Sequence, residues 1–168
     1  SSSEGVPFGE FPQCGETHGR SSLIDEALAK FSEQHSMILS GLPGIGKTTV
    51  GIAIGNQILS TGSNIRWATA DEFSDFETLC SSMSISSPLP TDFDALAEHL
   101  AHHYQGETFI FDDVHMIPER HLPQFLTICK KIETLQGPKM ILVGREPLPS
   151  FEQIERFAIP PLETSEAI

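Results

Sequence analysis

Apolar residues along this chain recur at two spacings, and the two alternate. Residues 37–39 (Met37, Ile38, Leu39), 64–69 around Ile65 and Trp67, 108–111 (Thr108, Phe109, Ile110, Phe111), 139–143 and 156–159 are short apolar runs that predict strands. Between them apolar positions fall at helical spacing. Leu23, Ala27 and Phe31, with Ile24 and Leu28, predict a helix capped by Ser21 or Ser22. Val50, Ile52, Ala53, Ile54 and Ile58 predict a helix over 49–59 that is apolar on most sides. Its Gly51 and Gly55 each cost up to about 1 kcal/mol relative to Ala, so the helix is expected to pack closely against a sheet.

Asp71 is read as the cap of a helix over 72–83, with Phe73, Phe76, Leu79 and Cys80 inward. Thr91 or Asp92 opens another, with Phe93, Leu96, Ala97 and Leu100 as its inner stripe and Gly106 as its terminator. Residues 119–134 form the next, with Pro123 tolerated in its first turn. A short helix is expected over 150–155. Strands alternating with helices predict an α/β fold: one parallel sheet in three layers, helices on both faces. Unbroken apolar strands suit burial on both sides. Residues 1–16, rich in Ser, Gly and Pro, read as a flexible lead, and 17–168 as the domain; Val6, Phe8 and Phe11 are apolar enough for part of the lead to lie on it.

One junction in this pattern carries chemistry. Gly41-Leu42-Pro43-Gly44-Ile45-Gly46-Lys47-Thr48 fits G-x-x-x-x-G-K-[ST] at every fixed position, between a predicted strand and a predicted helix. Polyphosphate oxygens need many donors at close range, and glycines let a loop turn its N–H groups inward around them. The helix N-terminus aims about half a positive charge at the same point. Lys47 is expected to reach the β- and γ-phosphates and the Thr48 hydroxyl to bind Mg²⁺.

Asp112 and Asp113 close the strand 108–111. In open parallel sheets ligands bind at the carboxyl ends of strands, which places this pair beside the phosphate loop. Buried carboxylates are costly without a task. Asp112 is assigned to the metal and Asp113 to activating a water, a workable hydrolytic arrangement. Arg145 follows the fourth strand at the same edge, where it can read a γ-phosphate or a neighbouring acid. His115 lies close enough to the acidic pair to touch the nucleotide region, and a structural role suits it equally. His99, His102 and His103 lack a Cys or carboxylate set that would complete a zinc site.

Composition narrows the partners. The chain has 168 residues, 39% of them hydrophobic and 20% charged, values of a folded domain with a core. Its formal net charge of −13 argues against a general nucleic-acid surface. It does not exclude a nucleotide, because at physiological salt remote carboxylates are screened beyond about 8 Å. Cys14, Cys80 and Cys129 are odd in number and have no C-x-x-C spacing, which points to a reducing, cytoplasmic location. No apolar run approaches the roughly 18 residues of a membrane span, so no membrane partner is expected.

An ordered set of motifs resembles the nucleotide-binding domain of STAND-class ATPases, the NB-ARC and NACHT relatives among signalling switches. The set is Gly19-Arg20 before an amphipathic helix, Gly41 to Thr48 with Thr49, Phe109-Ile110-Phe111-Asp112-Asp113-Val114-His115, Ile141-Leu142-Val143-Gly144-Arg145, and the segment 159–167 beginning Ile159-Pro160-Pro161-Leu162. The resemblance implies five core strands in the ASCE order 5-1-4-3-2, ATP or ADP with Mg²⁺, slow hydrolysis, and homo-oligomerisation on activation. It implies that Gly19 and Arg20 lie near the adenine, that residues 41–49 bind the nucleotide, and that Arg145 holds the sensor position. In that family a small helical domain and a winged helix follow. The chain stops at Ile168, where the next helix would begin, so a fragment of a longer protein is expected, with other domains of the same chain as partners.

Three functions compete on this core: a nucleotide switch, a P-loop metabolic kinase or AAA+-like housekeeping ATPase, and a module that holds nucleotide without chemistry. A kinase wants an arginine-bearing lid, and residues 81–90 contain no Arg or Lys. A DNA loader wants a basic face. Asp113 argues against a passive module.

Overall fold

The strands assemble as a single parallel sheet. A computed structural model describes residues 5–9, 21–41, 47–85, 88–145 and 156–158. They form β1 (Pro7–Gly9), α1 (Ser21–Glu33), β2 (Ser36–Gly41), α2 (Lys47–Ser60), β3 (Ile65–Thr69), α3 (Phe76–Ser82), α4 (Phe93–His103), β4 (Thr108–Asp112), a 3₁₀ turn (Val114–Met116), α5 (Leu122–Thr134), β5 (Lys139–Arg145) and β6 (Arg156–Ala158). Among the described residues the sheet is six-stranded, in the order β1-β3-β4-β5-β2-β6. The stretch from β3 to β6 is the ASCE order expected for five strands; β1 is an addition at the β3 edge.

Strand alternation divides the core in two. Met37, Ile141, Ile110 and Trp67 stand in register across β2, β5, β4 and β3. They pack on α1 and α2 through Ile24, Ala27, Phe31, Val50 and Ile54. The next residues along, Ile38, Leu142, Phe111 and Ala68, face the other way. They meet Phe76, Leu79, Leu96, Leu100, Phe125 and Ile128 of α3, α4 and α5. There the Phe111 ring lies 5.1 Å from Phe125 and 6.2 Å from Phe76, centroid to centroid. A Cβ on Gly51 would already touch Trp67 at 3.4 Å and Val143 at 3.5 Å, so α2 sits close on the sheet as its glycines suggest.

Three local expectations change. The third helix begins at Phe76, with Asp75 as its cap: the Asp75 carboxylate accepts from Thr78 N–H at 2.8 Å, and Thr78 Oγ1 accepts from Asp75 N–H at 2.9 Å. Asp71 instead closes a turn, accepting from Phe73 N–H at 2.8 Å. Phe73 therefore lies outside the helix and is 74% exposed, and Phe93 at the start of α4 is also exposed. The helix expected from residue 119 starts at Leu122, keeping Pro123 in its first turn. The predicted helix over 150–155 lies outside the described residues.

The lead is not wholly apart from the domain. Phe8 pairs with Arg66 across β1 and β3. The nearly buried Arg66 guanidinium lies 4.2 Å from the Phe8 ring centroid and 4.6 Å from that of Tyr104, and is bonded to Glu107 Oε1 at 2.7 Å and to the Met83 carbonyl at 3.1 Å. Gly9 ends the strand with φ of 79°, and a Cβ there would come within 2.5 Å of the Ser82 and Trp67 carbonyl oxygens.

Candidate functional site

Parallel pairing brings the carboxyl ends of β2, β4 and β5 to one edge. Gly41, the last residue of β2, is level with Arg145, the last residue of β5. On the other side of β5, Asp112 ends β4 level with Thr69, and its carbonyl accepts from Ala70 N–H at 2.8 Å. β5 outruns its pairing with β4, which stops at Phe111 and Leu142, while its pairing with β2 continues to Arg145.

α2 begins at Lys47 and sets Thr48 in its first turn. The Thr48 hydroxyl donates to the Asp112 carboxylate, 3.2 Å from Oδ1 and 3.1 Å from Oδ2, across a separation of 64 residues. Asp112 is only 5% exposed. Its Oδ1 also accepts the Asp113 backbone N–H at 2.9 Å. Asp113 is half-buried and adopts φ 57°, ψ 40°. For a residue other than glycine this left-handed backbone is uncommon, and Asp tolerates it better than most. It swings the chain off the strand into the 3₁₀ turn, whose Val114 is buried in the core.

Thr48, Asp112, Asp113, Arg145 and the backbone of Gly41 and Lys47 are therefore at one edge of the sheet. Thr49, one residue on, is exposed on α2, and Arg145 is exposed at the strand end. Gly19, Arg20, Leu42, Pro43, Gly44, Ile45 and Gly46 lie outside the described residues. The donors present suit Mg²⁺: a hydroxyl and a carboxylate are hard oxygen ligands, and Mg²⁺ binds through one or two such groups with waters and substrate phosphates. Among the described residues no three or more His, Cys, Asp or Glu side chains are grouped to hold a metal by themselves.

His115 holds a contact that sequence spacing alone does not reveal. Its Nδ1 accepts the Arg145 backbone N–H at 3.1 Å, 30 residues away. The histidines of α4 are engaged with one another: His99 and His103 rings lie 4.2 Å apart, and His103 Nδ1 is 3.0 Å from the His99 carbonyl oxygen. Burial, and secondarily the nearby His103, lower the His99 pKa below its ordinary value. Cys80 and Cys129 are free and buried. Burial first, then the Glu77 and Asp75 carboxylates, push the Cys80 thiol up to about 12, and burial raises Cys129 as well.

No protein-family model matches the chain, and no curated protein matches it. Solved structures do. Cdc6p from Pyrobaculum aerophilum superposes with a TM-score of 0.62 at 16% identity, over 93% of this chain and 48% of that one. Drosophila ORC bound to DNA gives 0.59 at 17%, over 88% and 44%. The Walker-type ATPase PABY2304 of Pyrococcus abyssi gives 0.54 at 12%, over 93% and 59%. At these identities the likeness establishes the fold alone, a parallel sheet flanked by helices. The chain spans about half the length of the structures it matches. Among the described residues no helix is long and apolar enough to cross a membrane.

Proposed function

We propose that the chain is the nucleotide-binding domain of a signalling switch of the STAND class, which binds ATP or ADP with Mg²⁺ and hydrolyses ATP slowly to control assembly of a larger protein. The observation that carries this reading is the hydrogen bond to the buried Asp112 from Thr48, the last residue of a sequence that fits the phosphate-loop pattern at every fixed position.

Each residue then has a task. Residues 41–46, Pro43 excepted, supply backbone N–H donors to the phosphates, and Lys47 adds a charge between β and γ. Thr48 and Asp112 hold Mg²⁺, which when bound neutralises phosphate charge. Asp113 orients and deprotonates the attacking water, Arg145 contacts the γ-phosphate from the end of β5, and Gly19 and Arg20 lie against the adenine. The partners are the nucleotide, further domains of a longer chain, and other copies of it on activation. A cytoplasmic setting follows from the cysteine usage.

The likeness to ORC bound to DNA favours a second reading, an AAA+-like ATPase that acts on DNA. The net charge of −13 weighs against it, because phosphate contacts need clustered Lys and Arg. Denaturing extraction of the purified full-length protein, followed by chromatography, tests the first reading. It expects ADP or ATP in near-stoichiometric amount, and no retention of duplex DNA at about 0.15 M salt. Protein that carries no adenine nucleotide and takes none up with Mg²⁺ would refute it; salt-sensitive DNA binding would favour the second.

A further inference from the structure

We propose that His115 is a positioning residue that ties the acidic pair to Arg145, so that the end of β5 and the Asp112–Asp113 turn move as one unit. This rests on the nucleotide reading given above.

β5 runs on beyond the last β4 pair, Phe111 with Leu142. Among the described residues, a backbone N–H on that side of β5 has no strand to donate to. The Arg145 N–H finds its acceptor in His115 Nδ1 at 3.1 Å. His115 is presented there by a specific backbone path. Asp113, at φ 57°, turns the chain out of β4, and its N–H is fixed to the Asp112 carboxylate at 2.9 Å. Val114 anchors the 3₁₀ turn in the core. From the carboxylate that Thr48 touches, a chain of backbone and hydrogen bonds thus leads to the main chain of Arg145.

The direction of the bond fixes the tautomer. A backbone N–H only donates, so Nδ1 is the accepting nitrogen, and a neutral ring carries its proton on Nε2. Asn places its Oδ1 near the position of a histidine Nδ1 and accepts as that nitrogen does. Ala offers no acceptor. The pair separates the role of the acceptor from that of the ring's bulk.

The test uses His115→Ala and His115→Asn in two measurements. The first is amide hydrogen exchange at Arg145 without nucleotide. It should speed up in H115A by about three- to tenfold, the effect of losing one net hydrogen bond, and stay near the parent in H115N. The second is calorimetric titration with Mg-ATP and Mg-ADP. H115A should weaken ATP by about three- to tenfold and leave ADP within about twofold, with ATP affinity restored in H115N. A parent that distinguishes ATP from ADP while H115A does so equally well overturns the role of His115 and leaves the proposed function standing. So does equal loss of both nucleotides in H115A and H115N, which is the result of a merely structural ring. A parent that binds neither nucleotide overturns the proposed function and the coupling with it.

Discussion

Replacing Thr48 by Val keeps its branched shape and removes the hydroxyl that meets Asp112. The O···O separations are 3.1 and 3.2 Å, longer than the usual 2.7–2.8 Å of a hydroxyl bond, and they share one proton between two oxygens. A hydrogen bond to a charged group contributes about 1.5–3 kcal/mol. Thr48 is half-buried and its geometry is long, which puts this one below that range, at about 1 kcal/mol. Asp112→Ala also removes the acceptor of the Asp113 N–H and leaves a small void, so neither single substitution isolates the contact. A double-mutant cycle does, because those side effects cancel. Urea denaturation of parent, Thr48→Val, Asp112→Ala and the double variant, all without nucleotide, should give a coupling of about 1 kcal/mol. Repeated with ATP, each variant should lose the part of the stabilisation that depends on Mg²⁺. A coupling below about 0.3 kcal/mol, within the scatter of independent sites, would refute the contact. Full Mg²⁺ dependence in both single variants would refute the metal assignment.

Three further outcomes follow from the same geometry. Arg145→Ala should weaken ATP about tenfold or more and leave ADP nearly unchanged, by calorimetric titration, since a charge-assisted bond to the γ-phosphate contributes about 1.5–3 kcal/mol; equal losses would place Arg145 in support of the fold or the adenosine. Asp113→Asn should leave ATP affinity near normal and lower phosphate release by the full-length protein; lost affinity with intact turnover would reverse the two acids' roles. With its pKa pushed up to about 12, the Cys80 thiol stays protonated and buried at pH 8, so iodoacetamide should leave Cys80 and Cys129 unmodified in the native protein and label both in urea, as read by peptide mass; native labelling would show that the α3–α5 side of the core opens readily.

Much of the fold was legible because the strands are apolar runs separated by amphipathic stripes, and the phosphate-loop pattern fixes where the first strand meets its helix. The acidic pair was legible for a related reason: two carboxylates at the end of a buried run stand at a sheet's carboxyl edge. Capping was harder. Asp71 and Asp75 both precede helix-compatible residues, and only the reciprocal bond between Asp75 and Thr78 decides between them. Phe73 fits a helical stripe by spacing, yet it sits before the cap and faces solvent. β1 is three residues long, with a proline and a glycine, and no local propensity marks it as a strand. Beside it Arg66 lies against the rings of Phe8 and Tyr104, residues far apart in the chain. The bond from Arg145 to His115 likewise has no local signature, because it exists only once β5 outruns β4.

Every role proposed for the site requires that the edge formed by Gly41, Lys47, Thr48, Asp112 and Arg145 bind a nucleotide. Lys47→Ala tests it most directly, since Lys47 starts α2 outside the apolar set of Val50, Ile54 and Ile58 that holds the helix on the sheet. Thermal unfolding is recorded with and without Mg-ATP for parent and variant. At about 100 times its Kd, the ligand should stabilise the parent by about 2.7 kcal/mol. The variant should unfold at the parent's nucleotide-free temperature and gain almost nothing from Mg-ATP. Equal stabilisation of both proteins by Mg-ATP would contradict the claim.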